Sequence, residues 1–206
     1  MNVLLVNPRY SQAKRTKHEA KLCPVGLYKH YSYHKNNGDN VKLVEGNKPL
    51  NFRPDVIKIT SLFTYWSKDV YKCVEFYNSA YPEAKIMIGG IFASLMPDEI
   101  KRHFPFIEVF EGVDEQIEKA RVDWNCFNTS VQVIHASRSC IRKCKFCGAR
   151  KIEKRITFKR WKNVKKEIQK NSIVFFDNNF LMNPYHKEIL EGIAKYRVNE
   201  KVVYCE

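Results

Sequence analysis

The stretch VQVIHASRSCIRKCKFCGAR, residues 131–150, leads from an apolar run directly into a cysteine-rich loop. The run 131–137 predicts a β-strand. Three cysteines follow within eight residues at the spacing Cys-x-x-x-Cys-x-x-Cys, namely Cys140, Cys144 and Cys147. Because thiolates bind soft metals and iron–sulfur clusters, this spacing predicts a metal centre immediately after a strand.

Two kinds of metal centre fit three cysteines. A structural zinc site normally takes four protein ligands, and His135 or Cys126 could supply the fourth. A 4Fe–4S cluster could instead be held by three thiolates, which leaves one iron open to another ligand. A loop after the first strand of a parallel α/β unit lies at the carboxyl edge of the sheet, where such folds place their chemistry. This position favours the open, reactive cluster.

The residues upstream alternate short apolar runs with amphipathic segments. Five runs rich in Val and Ile predict strands that are buried on both faces: 2–6, 40–45, 55–60, 85–90 and 107–112. Helices are predicted between them, from Pro24 to about Asn36, over 67–80, from Pro97, and over 114–120. Regular alternation of strand and helix predicts an α/β fold with a Rossmann- or flavodoxin-like parallel sheet.

The alternation restarts downstream of the cysteines. A helix is predicted over 156–170, with an apolar stripe formed by Phe158, Trp161, Val164 and Ile168. A strand at 172–177, a helix at 186–196 and a strand at 201–206 follow. The chain is therefore expected to contain an α/β domain at 1–122, a linker at 123–130, and at 131–206 about two and a half βα units.

Composition and charge narrow the class of protein. The chain is 44% hydrophobic, which is enough for a core, and no apolar run is long enough to predict a membrane span. Its beginning, MNVLLVNPRY, predicts a buried strand rather than a signal peptide, so a cytoplasmic protein with reduced thiols is expected.

The formal net charge of +14 is unevenly distributed. Residues 142–170 contain 13 lysines and arginines but only two acids, Glu153 and Glu167. Either this stretch is a solvated helix face, or it binds a negatively charged partner such as nucleic acid or a phosphorylated substrate.

The motif Cys140-IRK-Cys144-Lys-Phe146-Cys147 resembles the Cys-x-x-x-Cys-x-aromatic-Cys signature of radical S-adenosylmethionine (SAM) enzymes. The resemblance implies that the cysteines ligate a 4Fe–4S cluster whose open iron is chelated by SAM. An electron from a flavodoxin- or ferredoxin-type donor then cleaves SAM to methionine and a 5′-deoxyadenosyl radical.

The same resemblance assigns further site residues. Phe146 would pack near the adenine of SAM. The stretch Asp177-Asn178-Asn179, at the end of the second barrel strand, would contact the methionine amino group. An ordinary turn is the alternative interpretation of these three residues, because Asp and Asn are frequent in turns.

The first domain resembles the cobalamin-binding-like domain that precedes the barrel in one branch of that superfamily. The matching pieces include LLVNPRY, PDVIKITSLFTYW and AKIMIGGIFASLMPDEI. Gly89-Gly90 would let the backbone approach a nucleotide-like ligand or a packed helix. The histidine-ligand run Asp-x-His-x-x-Gly is absent from the sequence, so bound cobalamin, if present, would lack that ligand.

Residues 131–206 would form only part of a radical SAM barrel. The chain is then either a fragment of a longer protein or a shortened member. Exposed strand edges of a partial barrel favour pairing with a second copy or a partner subunit. The alternative function is a non-catalytic protein, stabilised by a metal or a cluster, that binds nucleic acid or acts as a scaffold.

Overall fold

The uninterrupted apolar run at residues 3–6 is typical of a strand that is covered on both faces. In the computed structural model, which describes residues 1–11, 23–196 and 204–205, these four side chains are fully buried in a parallel sheet. Its strands are β1 (Asn2–Asn7), β2 (Asn40–Glu45), β3 (Val56–Ser61), β4 (Lys85–Gly90) and β5 (Glu108–Val109). The order β2-β1-β3-β4-β5 is flavodoxin-like, which confirms the predicted α/β fold with a parallel sheet.

Helices cover both faces of this sheet. They are α1 (Val25–Asn36), α2 (Ser67–Ala80), α3 (Ile91–Leu95), α4 (Pro97–His103) and α5 (Glu115–Glu118). Val3 and Leu5 pack with Leu27 of α1, whereas Leu4 and Val6 join the core formed with α2, α3 and α4. Successive side chains of a strand point to opposite faces, so one apolar strand supplies both layers of the core.

A chain of polar contacts lies beneath α1. The Lys58 ammonium, on β3, lies 3.0 Å from His34 Nε2 and 3.4 Å from His30 Nδ1. Because an ammonium group only donates, both ring nitrogens accept. The Nδ1–H of His34 then donates to Asp39 at 2.7 Å, and the amino terminus of Met1 pairs with the same carboxylate at 3.1 Å. A ring nitrogen that accepts a hydrogen bond carries no proton, so both imidazoles are neutral.

Residues Asp123–Glu206 form a second compact unit. Its elements in chain order are β6 (Val131–Ile134), β7 (Ser137–Arg138), α6 (Ala149–Ile152), β8 (Thr157–Phe158), α7 (Trp161–Glu167), β9 (Ser172–Phe175), α8 (His186–Lys195) and β10 (Tyr204–Cys205). Three of the strands form a parallel sheet in the order β10-β9-β6, and β7 pairs antiparallel with β8. The rest of the predicted strand 201–206 lies outside the described residues.

The predicted helix over 156–170 is wrong at both ends. Residues 157–158 form β8 and pair with β7, and Phe158 is exposed rather than part of the apolar stripe. The other three stripe residues do pack into the core of this unit: Trp161, Val164 and Ile168. A β-branched residue and an aromatic residue suit an extended strand, and pairing with a distant segment overrode their local helical pattern.

The early end of α7 has a separate cause in the buried side chain of Gln132 on β6. Its Oε1 accepts from the backbone N–H groups of Gln169 at 2.8 Å and Lys170 at 3.1 Å. Its Nε2 donates to the carbonyl of Glu167 at 2.6 Å. These bonds satisfy backbone groups beyond the helix, so the chain turns towards β9.

The helices of the described ranges share one further property. None of them combines the length with the apolar character that a membrane span requires.

Acid should destabilise the first unit through half-buried His30 and buried His34. Burial and the charge of Lys58 lower the pKa of His30 to about 3, and burial lowers the pKa of His34. Histidine in an unfolded chain titrates at about pH 6.5. Below this pH, His30 and His34 therefore bind protons in the unfolded state but stay neutral in the folded state. The stability present above that pH is then lost as the pH falls towards the folded-state pKa values.

Thermal unfolding followed by circular dichroism between about pH 7 and about pH 4.5 measures this loss. The midpoint should fall more steeply with acidification in the unchanged chain than in the His30→Gln variant. His103→Gln is the matched control, because His103 is exposed. Equal slopes in all three proteins would contradict the assignment.

Candidate metal centre

The topology of the second unit brings two predicted site segments to one edge of a sheet. The cysteine loop follows β6, and Asp177, Asn178 and Asn179 follow β9. Since β6 and β9 are adjacent and parallel, their carboxyl ends meet at the same edge. The sequence-predicted residues from both strands are therefore neighbours in the fold.

Asp177 is buried and ties the end of β9 to the segment after β6. Its carboxylate accepts from the backbone N–H of Ala136 at 3.2 Å, from the hydroxyl of Ser137 at 2.6 Å, and from the backbone N–H of Ser137. Burial raises the pKa of Asp177, while these hydrogen bonds act in the opposite direction. In this arrangement the side chain positions the start of the cysteine loop.

Glu153 makes a second connection between the two segments, and sequence reasoning missed it. Its Oε1 pairs with the guanidinium of Arg138 at 3.1 Å. Its Oε2 accepts from the backbone N–H of Ser139 and from the side-chain amide of Asn178, the latter at 3.0 Å. The sequence contained one sign of this role. Glu153 is an isolated acid in a strongly basic stretch, and such an acid is expected to have a specific partner.

Other contacts hold the same edge together. The side chain of Asn183 is fully buried and donates to the carbonyl of Ala136 at 2.9 Å and to that of Lys159 at 3.1 Å. The backbone carbonyl of half-buried Asn179 accepts from the N–H of Met182 at 3.3 Å, which forms a short 3-10 turn after β9. This turn covers Phe180–Met182 and begins after the Asp177-Asn178-Asn179 stretch, whose last residue has an extended backbone.

The three cysteines differ in exposure. Cys140 is buried, and its sulfur accepts from the backbone N–H of Arg142 at 3.4 Å. Cys144 and Cys147 are exposed and are joined by a backbone turn, in which the N–H of Cys147 donates to the carbonyl of Cys144 at 3.1 Å. Phe146 between them is 93% exposed. The loop therefore presents two thiols and an aromatic ring to solvent.

The three thiols are not gathered into a metal-binding group. Within the described residues, no cluster of three or more His, Cys, Asp or Glu side chains has the arrangement to hold a metal ion. None of the six cysteines whose side chains are described forms a disulfide. His135 and Cys126, the two candidates for a fourth ligand, do not complete such a cluster either.

The donor atoms of the loop are nevertheless of the type that binds a cluster. Three soft thiol donors lie on one short loop, which suits iron–sulfur or zinc coordination. Beside Cys140, Ser139 adopts a left-handed backbone with φ of +65°, which a serine rarely adopts. The hydroxyl of Ser139 is also buried, and it is without a hydrogen-bond partner among the described residues. A strained residue with an unsatisfied hydroxyl thus lies next to the Cys140 thiol, and strain of this kind is common at functional sites.

Aromatic side chains occupy the corresponding edge of the first unit, whose sequence resembles a cobalamin-binding-like domain. Tyr10 follows β1 and stacks on Trp66 after β3, with ring centroids 4.7 Å apart. Phe63 and Tyr65 are exposed at the same place. The order of a flavodoxin-like sheet reverses between β1 and β3, where such folds bind ligands. Cobalamin stays a prediction, and these rings are the side chains that would meet it.

The glycine pair at the end of β4 has a structural role within this sheet. Gly90 has φ of +100°, and a Cβ at this position would lie 2.3 Å from the carbonyl oxygen of Ser61. The close approach predicted for Gly89-Gly90 is therefore made to the end of β3. A larger residue at position 90 would clash with backbone.

Comparisons with known proteins add no assignment. The chain matches no family model and no curated protein. The function of the chain is therefore inferred from its residues and their geometry.

The Glu153 connection can be tested with Glu153→Gln. This change puts an amide N–H where the carboxylate accepted from three donors, so it should lower the free energy of unfolding by about 1–3 kcal/mol. Hydrogen exchange measured by mass spectrometry should become faster in peptides that cover 137–158.

Glu167→Gln is the matched control, because Glu167 lies in the same basic stretch but pairs with partly exposed Lys159 at 2.7 Å. A pair of this kind contributes less than about 1 kcal/mol. Equal exchange in the two variants would show that Glu153 does not hold the cysteine loop.

Proposed function

We propose that the chain is a radical SAM iron–sulfur protein, in which Cys140, Cys144 and Cys147 hold a 4Fe–4S cluster and SAM binds at its open iron. One observation carries the proposal: a three-thiol loop follows a strand of a parallel sheet and is tied by Glu153 to the loop after the adjacent strand. When bound, such a cluster supplies the electron that cleaves SAM to methionine and a 5′-deoxyadenosyl radical.

Different residues of the loop region would hold the cluster and SAM. Cys140 is the buried anchor at the base of the loop, and the exposed thiols of Cys144 and Cys147 supply the other two ligands. The exposed ring of Phe146 offers an apolar face on which the adenine of SAM can stack. The exposed amide of Asn178 offers polar contacts for the methionine part, next to Asp177, which positions the loop.

Two partners follow from this proposal. The electron must come from a reductant, for which a flavodoxin- or ferredoxin-type protein is proposed. The radical also requires shielding from water, and in the described chain β6 lies at an edge of a three-stranded sheet. A second copy or a partner subunit that pairs with the sheet would complete a partial radical SAM barrel and cover the loop.

The alternative is a non-catalytic protein that a zinc ion or a cluster stabilises and that binds nucleic acid or serves as a scaffold. The observation that favours it is the basic stretch 142–170, which surrounds the cysteines. The identity of the metal separates the two functions, because zinc cannot supply an electron to SAM.

Reconstitution of the protein with iron and sulfide under anaerobic conditions tests the ligands. The unchanged chain should turn brown and absorb broadly in the visible range. Cys144→Ala should lose most of this absorption and of the bound iron, because two thiolates hold a cluster poorly. Cys73→Ala should change neither, since Cys73 is buried in the core of the first unit. A colourless protein that contains one zinc would contradict the proposal.

Addition of SAM and dithionite to the reconstituted protein tests the reaction itself. Release of 5′-deoxyadenosine, measured by liquid chromatography, is expected even without a substrate. A cluster that releases none would be a structural cluster only.

A further inference from the structure

The segment that contains the cysteines carries an unusual concentration of positive charge. Seven lysines and arginines lie within residues 142–155, and all seven are exposed. They are Arg142, Lys143, Lys145, Arg150, Lys151, Lys154 and Arg155. The only acid in the segment is Glu153.

These seven charges are not neutralised by the fold. Glu153 is turned towards Arg138, Ser139 and Asn178, so its charge is already balanced outside the segment. Among the described residues, none of the seven side chains forms an ion pair. Like charges at this density repel one another, and a negatively charged partner would remove that cost.

The two basic residues that follow the segment directly, Lys159 and Arg160, differ from this group because they pair with acids of the fold. Lys159 pairs with Glu167 at 2.7 Å. Arg160 pairs with Glu188 at 3.5 Å and lies over the ring of Tyr185. None of the seven basic side chains of the segment 142–155 forms such a pair among the described residues. What distinguishes this segment is the density of its unpaired charge, because seven such side chains lie within 14 residues around the exposed thiols.

The arrangement indicates the chemistry of the partner. A small anion such as free phosphate is normally held in a buried cradle, but these cations are all exposed and spread over 14 residues of sequence. Such a spread suits a chain of phosphates, which carries charge at short and regular intervals. Phe158 pairs across β7–β8 with Ser137, beside the loop, and its exposed ring gives one base a surface for stacking.

We propose that the surface formed by residues 142–155 and Phe158 binds a single-stranded nucleic acid across the cysteine loop. The inference rests on the proposed function in one respect, which is that the bound strand is taken as the substrate of the radical. An unpaired strand is favoured over a duplex because a base has to leave its stack before an enzyme can reach it.

Binding of a fluorescent single-stranded RNA to the full chain, measured by anisotropy at about 150 mM salt, tests the surface. The test variant reverses four charges: Arg150→Glu, Lys151→Glu, Lys154→Glu and Arg155→Glu. Its affinity should fall about tenfold or more. The dependence of log affinity on log salt should become shallower by about 0.7 for each phosphate that the variant no longer neutralises.

The matched control makes the same change in net charge on the first unit. It replaces exposed lysines that form no ion pair in the described chain: Lys48→Glu, Lys68→Glu, Lys72→Glu and Lys119→Glu. This control should keep its affinity within about threefold. An equal loss in both variants would show that only net charge matters, and absence of binding by the unchanged chain would overturn the proposal outright.

Further probes separate the rival partners. Single-stranded DNA of the same length should compete if phosphates dominate, whereas tighter binding of a duplex than of the single strand would contradict the proposal. A reduced flavodoxin provides the last comparison. If the four-charge variant slows flavodoxin-driven release of 5′-deoxyadenosine but keeps its affinity for RNA, the surface is the docking site of the electron donor and the proposal is wrong.

The design also separates this inference from the proposed function. Cluster absorption and dithionite-driven cleavage of SAM need no macromolecular partner, so they should be unchanged in the four-charge variant. A second variant replaces the same four residues by glutamine, which removes their charge without reversing it. If this variant unfolds or loses iron, the surface serves the fold and not a nucleic acid. If the chain binds RNA but forms no cluster on reconstitution, the surface is supported and the radical SAM proposal is rejected.

Discussion

The carboxylate of Glu153 is the contact on which the candidate metal centre depends. It receives donors from Arg138 and Ser139, which precede the cysteines, and from Asn178, which follows the adjacent strand. Two of the three cysteines in the loop are exposed, so little apolar burial holds it in place. Charge-assisted hydrogen bonds to a half-buried carboxylate replace that burial, and they also leave the thiols accessible to a ligand.

The charged side chains of the two units differ in whether they have polar partners within the fold. In the first unit, half-buried Lys58 contacts His30 and His34, and His34 contacts Asp39 in turn. In the second unit, the charges of residues 142–155 stay outside and are left without acidic partners among the described residues. A fold must neutralise the charges that it buries, whereas charges at its surface are available to bind another molecule.

Local patterns predicted most of the strands and helices. β1 was recognisable because a strand covered on both faces needs apolar residues at every position, and the spacing of the cysteines is a local pattern as well. Prediction failed at Phe158, whose partner Ser137 is 21 residues away in sequence. The hydrogen-bond partners of Glu153, Asp177 and Asn183 lie far from them in the sequence, so neighbouring residues do not reveal those contacts.

The sequence by itself determined the chemistry that this protein can offer: three thiols at close spacing, a basic stretch around them, and alternating strands that form a parallel sheet. These properties depend on residue type and short-range periodicity, which the sequence displays directly. Only the tertiary structure decided which acids hold the loop, which thiols are exposed and which charges stay unpaired. Those outcomes depend on contacts between residues far apart in the chain, and such contacts exist only after the sheet has assembled.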